Sequence, residues 1–103
     1  MARLVIITAD GRNDVELQPH NSVGRHPNNT IQILDRIASK EHCRIQLENG
    51  GYVLHDLGSL NGTYVNSARV SQHNLQTGDE ILIGSTKMLF LDRISSDEML
   101  GRV

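Results

Sequence analysis

The sequence predicts an all-β domain, a sandwich or barrel of short strands. Nine glycines divide 103 residues into short segments. The apolar runs between them are brief and rich in Ile, Leu and Val, and Gly, Asn and Asp bound them. The length suits a single domain.

The elements follow in order. Leu4, Val5, Ile6 and Ile7 form the first apolar run. Ser22-Val23-Gly24 reads as a strand end closed by glycine, a turn or bulge signal. The stretch from Thr30 is ambiguous. Thr30 suits a helix N-cap, and Ile31, Leu34, Ile37 and Ala38 recur at helical spacing, which locally predicts a helix over residues 31–42. The competing reading is a short strand over 31–34, a loop over 35–41, and a strand from Cys43. Cys43–Glu48 alternates apolar and polar with period two, as a half-buried strand does. Asn49-Gly50-Gly51 supplies the positive-φ residues of a tight hairpin leading into residues 52–56. A loop over 57–62, with its Asn61-Gly62 turn signal, separates that strand from Thr63–Val65. Thr77-Gly78-Asp79 and Gly84-Ser85 flank Glu80–Ile83, whose natural partner is residues 87–92. Ser95-Ser96-Asp97-Glu98 resembles a helix N-terminus, as at the start of a linker.

Composition excludes several function classes. Hydrophobic residues at 38% and charged residues at 21% describe a soluble globular chain. No apolar run nears the roughly 20 residues of a spanning helix, and residues 1–10 lack a signal-peptide layout. The one cysteine, Cys43, excludes an internal disulfide and a cysteine-built zinc site, and points to a reducing, cytoplasmic setting. Its place on the apolar side of an alternating strand makes it a small core residue. The five histidines show no metal-ligand spacing, and no cofactor signature is present. A net charge of −2 and three aromatics, Tyr52, Tyr64 and Phe90, argue against nucleic acid and acidic membranes. Charge is uneven, however. Between Gln18 and Leu47, Arg25, Arg36, Lys40 and Arg44 outnumber Asp35 and Glu41, whereas the rest of the chain is acidic in balance. A small basic region on an acidic body suits a compact anion.

Three polar constellations stand out: Gly24-Arg25, Ser39-Lys40-Glu41-His42, and the run from Asp56 to Asn66. Singly each has a plain reading as turn, solvated loop or hairpin. Ser39 and His42 could suggest nucleophile and base, with Asp56 as third member, but no nucleophile-elbow sequence surrounds Ser39. In order they are far more specific. Gly24-Arg25, then Ser39-x-x-His42, then Asp56-Leu57-x-Ser59-x-Asn61-Gly62-Thr63-x-Val65-Asn66, then Leu75-x-x-Gly78-Asp79-x-Ile81-x-Ile83-Gly84 resembles a forkhead-associated (FHA) domain from Leu4 to Leu91.

The resemblance implies an antiparallel-rich β-sandwich of eleven strands whose loops at one end bind phosphothreonine. It favours strand, loop, strand over the local helix at 31–42. It implies that Arg25, Ser39, Lys40 and Asn61 bind the phosphothreonine segment. Leu60, Gly62, Thr63 and Asn66 contact the peptide or shape its loop, and Gly24 and His42 are structural supports. The chemistry agrees with these residue types. Phosphothreonine carries about −1.5 to −2 charges and three acceptor oxygens. Arg25 offers a permanently charged planar fork, Ser39 a hydroxyl, Lys40 a flexible charge, and Asn61 an amide that both donates and accepts. Two residues depart from the common pattern: Leu60 stands where many relatives carry a hydroxyl, and Lys40 where arginine is frequent. Both predict weaker phosphate capture.

The expectation is therefore a recognition domain over residues 1–93 and a tail or linker over 94–103. It is non-enzymatic, intracellular, fused to another domain, and takes a threonine-phosphorylated protein, in trans or on the same chain, as partner. The competing class is a sandwich that docks a neighbour or a second copy without phosphate.

Overall fold

Eleven strands joined by tight turns make up the computed structural model, which describes residues 2–92. They are β1 (Ala2–Thr8), β2 (Gly11–Glu16), β3 (His20–Gly24), β4 (Ile31–Gln32), β5 (Cys43–Glu48), β6 (Gly51–Asp56), β7 (Thr63–Val65), β8 (Ala68–Val70), β9 (Gln72–Asn74), β10 (Glu80–Ile83) and β11 (Thr86–Asp92). There is no helix among the described residues. The expected helix start at Ser95–Glu98 lies outside them.

Two sheets form, ordered β2-β1-β11-β10-β7-β8 and β4-β3-β5-β6-β9. Pairing is antiparallel except between β3 and β4, which run parallel through Val23↔Ile31 and Gly24↔Gln32. The inward residues of both sheets make one core. Leu4, Ile6, Val65, Ile81, Ile83, Met88 and Phe90 come from the first sheet, and Val23, Ile31, Cys43, Ile45 and Leu54 from the second. Tyr52 and Phe90 meet edge-on across the sheets, with ring centroids 6.0 Å apart. Cys43 is fully buried in this core, and burial pushes its thiol up to about 12, so it stays protonated and inert.

The β5–β6 hairpin shows how local sequence sets register. Glu48 pairs with Gly51, leaving Asn49 and Gly50 as a two-residue turn with φ of 53° and 83°. Both lie in the left-handed region that Asn and Gly tolerate best. Cys43 and Ile45 then face inward as the alternation predicts, but Leu47, beside the hairpin end, is 45% exposed.

The helix suggested by residues 31–42 is not formed. Burial there follows period two: Ile31, Ile33 and Asp35 are buried, while Gln32, Leu34 and Arg36 are exposed. The backbone is committed elsewhere, since the Ile33 N–H donates to the Gly24 carbonyl and Ile31 pairs with Val23. The apparent helical stripe is broken by Leu34, which is 86% exposed. Ile33, which lies off that stripe, is the residue that enters the core. Strand, loop, strand is the correct reading.

Candidate functional site

Three segments converge at one end of the sandwich: the end of β3, the loop over residues 33–42, and the loop over residues 57–62. Gly24 makes the first approach possible. A Cβ on it would sit 2.2 Å from the Lys40 carbonyl oxygen and 2.9 Å from Asn29 Nδ2. Asn29 Nδ2 donates to the carbonyls of His26 and Lys40, at 2.8 and 2.7 Å, and so pins the two segments together. The obstacle to a Cβ is backbone, which cannot swing aside. Gly24→Ala is expected to cost about 1–3 kcal/mol of stability, the usual range for overpacking, and to displace the Ser39–Lys40 backbone from Arg25. Urea denaturation checks the first effect and chemical shifts of residues 38–41 the second.

Arg25 follows directly, and the Ser39 loop lies beside it. Its N–H donates to the Ser39 carbonyl at 3.0 Å and its Nε to the Ala38 carbonyl at 3.0 Å. The guanidinium is thereby aimed, while its terminal nitrogens make no hydrogen bond among the described residues. Ser39 is half-buried, and its Oγ accepts from the Leu60 N–H at 3.2 Å, so the hydroxyl proton is left to donate outward. Asn61 is exposed and donates through Nδ2 to the Ile37 carbonyl at 3.0 Å, keeping its Oδ1 uncommitted. Lys40 is exposed, with its carbonyl spent on Asn29 and on the His26 N–H. Backbone and side-chain bonds thus bring Arg25, Ser39 and Asn61 to one end, whereas Lys40 lines a neighbouring depression with Ser22, His26, Asn28, Asn29 and Glu41.

His42 is the buried joint beneath them. Its Nδ1 accepts the Ser39 backbone N–H at 3.0 Å, which leaves the ring proton on Nε2, 2.9 Å from the Gly62 carbonyl it donates to. Its own N–H donates to Val23 and its carbonyl accepts from Leu57. One residue therefore ties all three segments, its ring joining the Ser39 loop to Gly62 and its backbone joining both loops to Val23. Because it takes the backbone N–H of Ser39 and not the hydroxyl, and is wholly buried, Ser39 and His42 are not arranged as nucleophile and base.

Asp56 organises the second loop. Its Oδ1 accepts from Ser59 Oγ and Thr63 Oγ1, both at 2.6 Å, and its Oδ2 from the Ser59 N–H at 2.9 Å; Ser59 Oγ in turn accepts from the Gly62 N–H. Thr63, fully buried, is thus a loop-shaping residue. Leu60 projects into solvent, 83% exposed. Asn66 stands apart from this set, at the β7–β8 turn with φ of 49°. It donates to Asp79 Oδ1 and accepts from the Glu80 N–H.

Sequence reading missed Asp35 and Asn29. Asp35 is buried and reaches across to the β10–β11 turn, taking the Ser85 N–H, Ser85 Oγ and Thr86 Oγ1 while also accepting the Ile37 N–H. An acid placed in phase with buried Ile31 and Ile33 was the available signal.

These carboxylates make the site's frame sensitive to acid. The backbone N–H groups of Ile37 and Ser85 hold Asp35 below the usual carboxylate range. Burial pushes Asp56 up, but hydrogen bonds from Ser59 and Thr63 outweigh it and leave it lowered. Burial likewise opposes the Gln76, Asn66 and His73 bonds at Asp79, which also ends lowered. Each acid ionises more readily folded than unfolded. Its contribution is complete above the ordinary carboxylate value and is lost as pH falls through the folded one. Unfolding free energy from urea titrations should drop steeply below about pH 4, and Asp56→Asn should flatten that drop. Equal slopes in the two proteins would remove Asp56 from the account.

The FHA domain family model matches residues 21–84. The chain belongs to the FHA domain family. It is 43% identical over 81 residues to the glycogen accumulation regulator GarA of Mycolicibacterium smegmatis, covering 79% of this chain and 51% of that protein. The chain thus spans about half the length of the curated relatives it matches. Among solved structures, an FHA domain from an analysis of phosphothreonine-dependent FHA interactions superposes with a TM-score of 0.82 at 28% identity, covering 88% of this chain and 95% of that one. The FhaA FHA domain, complexed with the intracellular domain of Rv3910, gives 0.81 at 28% identity, covering 87% and 99%. The expected eleven-stranded sandwich is the fold of this FHA domain.

Proposed function

We propose that this FHA domain is a phosphothreonine-recognition module, with Arg25, Ser39, Lys40 and Asn61 as its binding set. One observation carries the reading. Arg25 and Ser39, far apart in sequence, are locked side by side by a backbone hydrogen bond, and both keep donors turned outward. A dianionic phosphate takes the Arg25 fork and the Ser39 hydroxyl, with Lys40 adding a point charge. Asn61 then holds the peptide backbone beside the phosphorylated residue. Gly24, His42, Gly62 and Thr63 keep the loops in place, Leu60 borders the peptide, and Asn66 shapes the next turn. Binding, not catalysis, is the activity, as the regulator name of its relative supports.

In this reading residues 1–93 are the recognition module and 94–103 a tail or linker. The partner is a threonine-phosphorylated protein. No helix among the described residues is long and apolar enough to cross a membrane, and an intracellular site suits a ligand made by kinases. Fusion to an output domain is not carried by these comparisons. Leu34 and Leu60, both strongly exposed, favour a second reading in which the same end docks an apolar partner without phosphate.

The test is a titration of a phosphothreonine peptide library against unphosphorylated twins by fluorescence anisotropy. Binding confined to the phosphorylated set supports the module; equal binding of both sets rejects it in favour of the docking surface.

A further inference from the structure

Arg69, on β8, is a cation beside the binding loops with no place in the proposed binding set. It pairs across strands with Tyr64, and its side chain runs back along β7 to Gly62. A Cβ on Gly62 would stand 2.7 Å from Arg69 Nε and 3.0 Å from its Cζ, so the guanidinium lies directly against the Gly62 backbone. Gly62 follows Asn61, the residue proposed to hold the peptide. The guanidinium has no hydrogen bond and no ion pair among the described residues, and the residue is exposed. On a body whose acids outnumber its bases away from Gln18–Leu47, a guanidinium left unpaired next to Asn61 has unused capacity for a carboxylate.

We propose that Arg69 is a specificity residue of this module, pairing with an acidic side chain that flanks the phosphothreonine in the bound peptide. This rests on the phosphothreonine reading and deepens it. The peptide backbone held by Asn61 passes over Gly62, and a carboxylate carried by a residue near the phosphothreonine meets the Arg69 fork there. Arg36 is a second exposed arginine outside the proposed binding set at this end. It precedes Ile37, whose carbonyl Asn61 bonds, and serves as the internal control.

The experiment measures anisotropy affinities for one phosphothreonine peptide and for variants with a single Asp or Ala at each position on either side. Wild type, Arg69→Gln, Arg69→Lys and Arg36→Gln are compared. Asp at one position should tighten wild-type binding about three- to five-fold over Ala at low salt, the scale of an exposed ion pair. Arg69→Gln should abolish that preference without weakening the Ala peptide, Arg69→Lys should keep part of it, and Arg36→Gln all of it. A purely structural role for Arg69 over Gly62 would weaken Asp and Ala peptides alike, and that result overturns the proposal. So does a phosphate-dependent wild type indifferent to Asp at every position, or a preference lost in Arg36→Gln instead. Loss of phosphate dependence itself would remove the underlying reading, a separately visible outcome.

Discussion

Arg25→Ala is expected to weaken phosphothreonine-peptide binding about thirty- to one-hundred-fold while leaving the fold intact. The magnitude follows from what the side chain has left to give. Nε is spent on the Ala38 carbonyl, so the terminal nitrogens supply the charge-assisted bonds. Each such bond contributes roughly 1.5–3 kcal/mol when dry and less when water reaches it. A net loss of about 2–3 kcal/mol at an open site converts to that range of affinity at about 1.4 kcal/mol per tenfold. Stability should fall by only about 1 kcal/mol, the worth of the single Nε bond, because the residue is exposed. Arg25→Lys separates charge from geometry. It keeps a positive charge but has neither the fork nor the Nε anchor, and should recover only part of the lost affinity. Calorimetric titration of the same peptide into the three proteins, with urea curves alongside, checks all of this. An Arg25→Ala affinity within about twofold of wild type would take Arg25 out of the site and the phosphate reading with it.

What the sequence made legible, and what it hid, divides along the range of the interactions involved. The β5–β6 hairpin could be read because every determinant is local. The apolar residues alternate along β5, and Asn49 and Gly50 are the residues that tolerate the turn's backbone. β2 could not be read, because it lies at a sheet edge with most of its residues exposed, and its only reason for being a strand is its register with β1. The short β4 has the same dependence on β3, and so the residues after it looked helical in isolation. Resemblance to a family repaired that reading where periodicity failed. Within the site, Arg25, Ser39, His42 and Asn61 were legible as a motif. The contacts that aim them were not. Asn29 acts on a carbonyl in a different loop, Asp35 acts on the turn of the opposite sheet, and Arg69 reaches Gly62 from a neighbouring strand. Such side chains look like ordinary solvated polar residues until the chain has folded, because their partners are fixed by topology and not by spacing.

His42 is where that topology concentrates, and His42→Ala should be the most destabilising change at this end of the molecule. The ring is fully buried and both its nitrogens are used. Removing it opens a cavity in a packed region and strands two backbone groups, the Ser39 N–H and the Gly62 carbonyl. An unsatisfied buried group costs about 1–3 kcal/mol, and truncating a large core side chain costs a comparable amount again. About 3–5 kcal/mol is expected, against a total of roughly 5–15 kcal/mol for a domain of this size. The midpoint of thermal unfolding should fall by about 15–25 °C. His42→Gln should lie between the two proteins, since an amide of similar reach can satisfy one of the two partners. The functional consequence is separable from the thermodynamic one. At a temperature where His42→Ala remains folded, the Ser39 loop and the Gly62 loop are no longer joined through a common side chain. Peptide affinity should drop even though no residue proposed to touch the ligand has changed. If instead the variant melts low but binds at full strength while folded, the Leu60–Ser39 and Asn61–Ile37 bonds and the backbone bond from Leu57 to residue 42 hold the loops without the ring, and His42 serves the core without positioning the site.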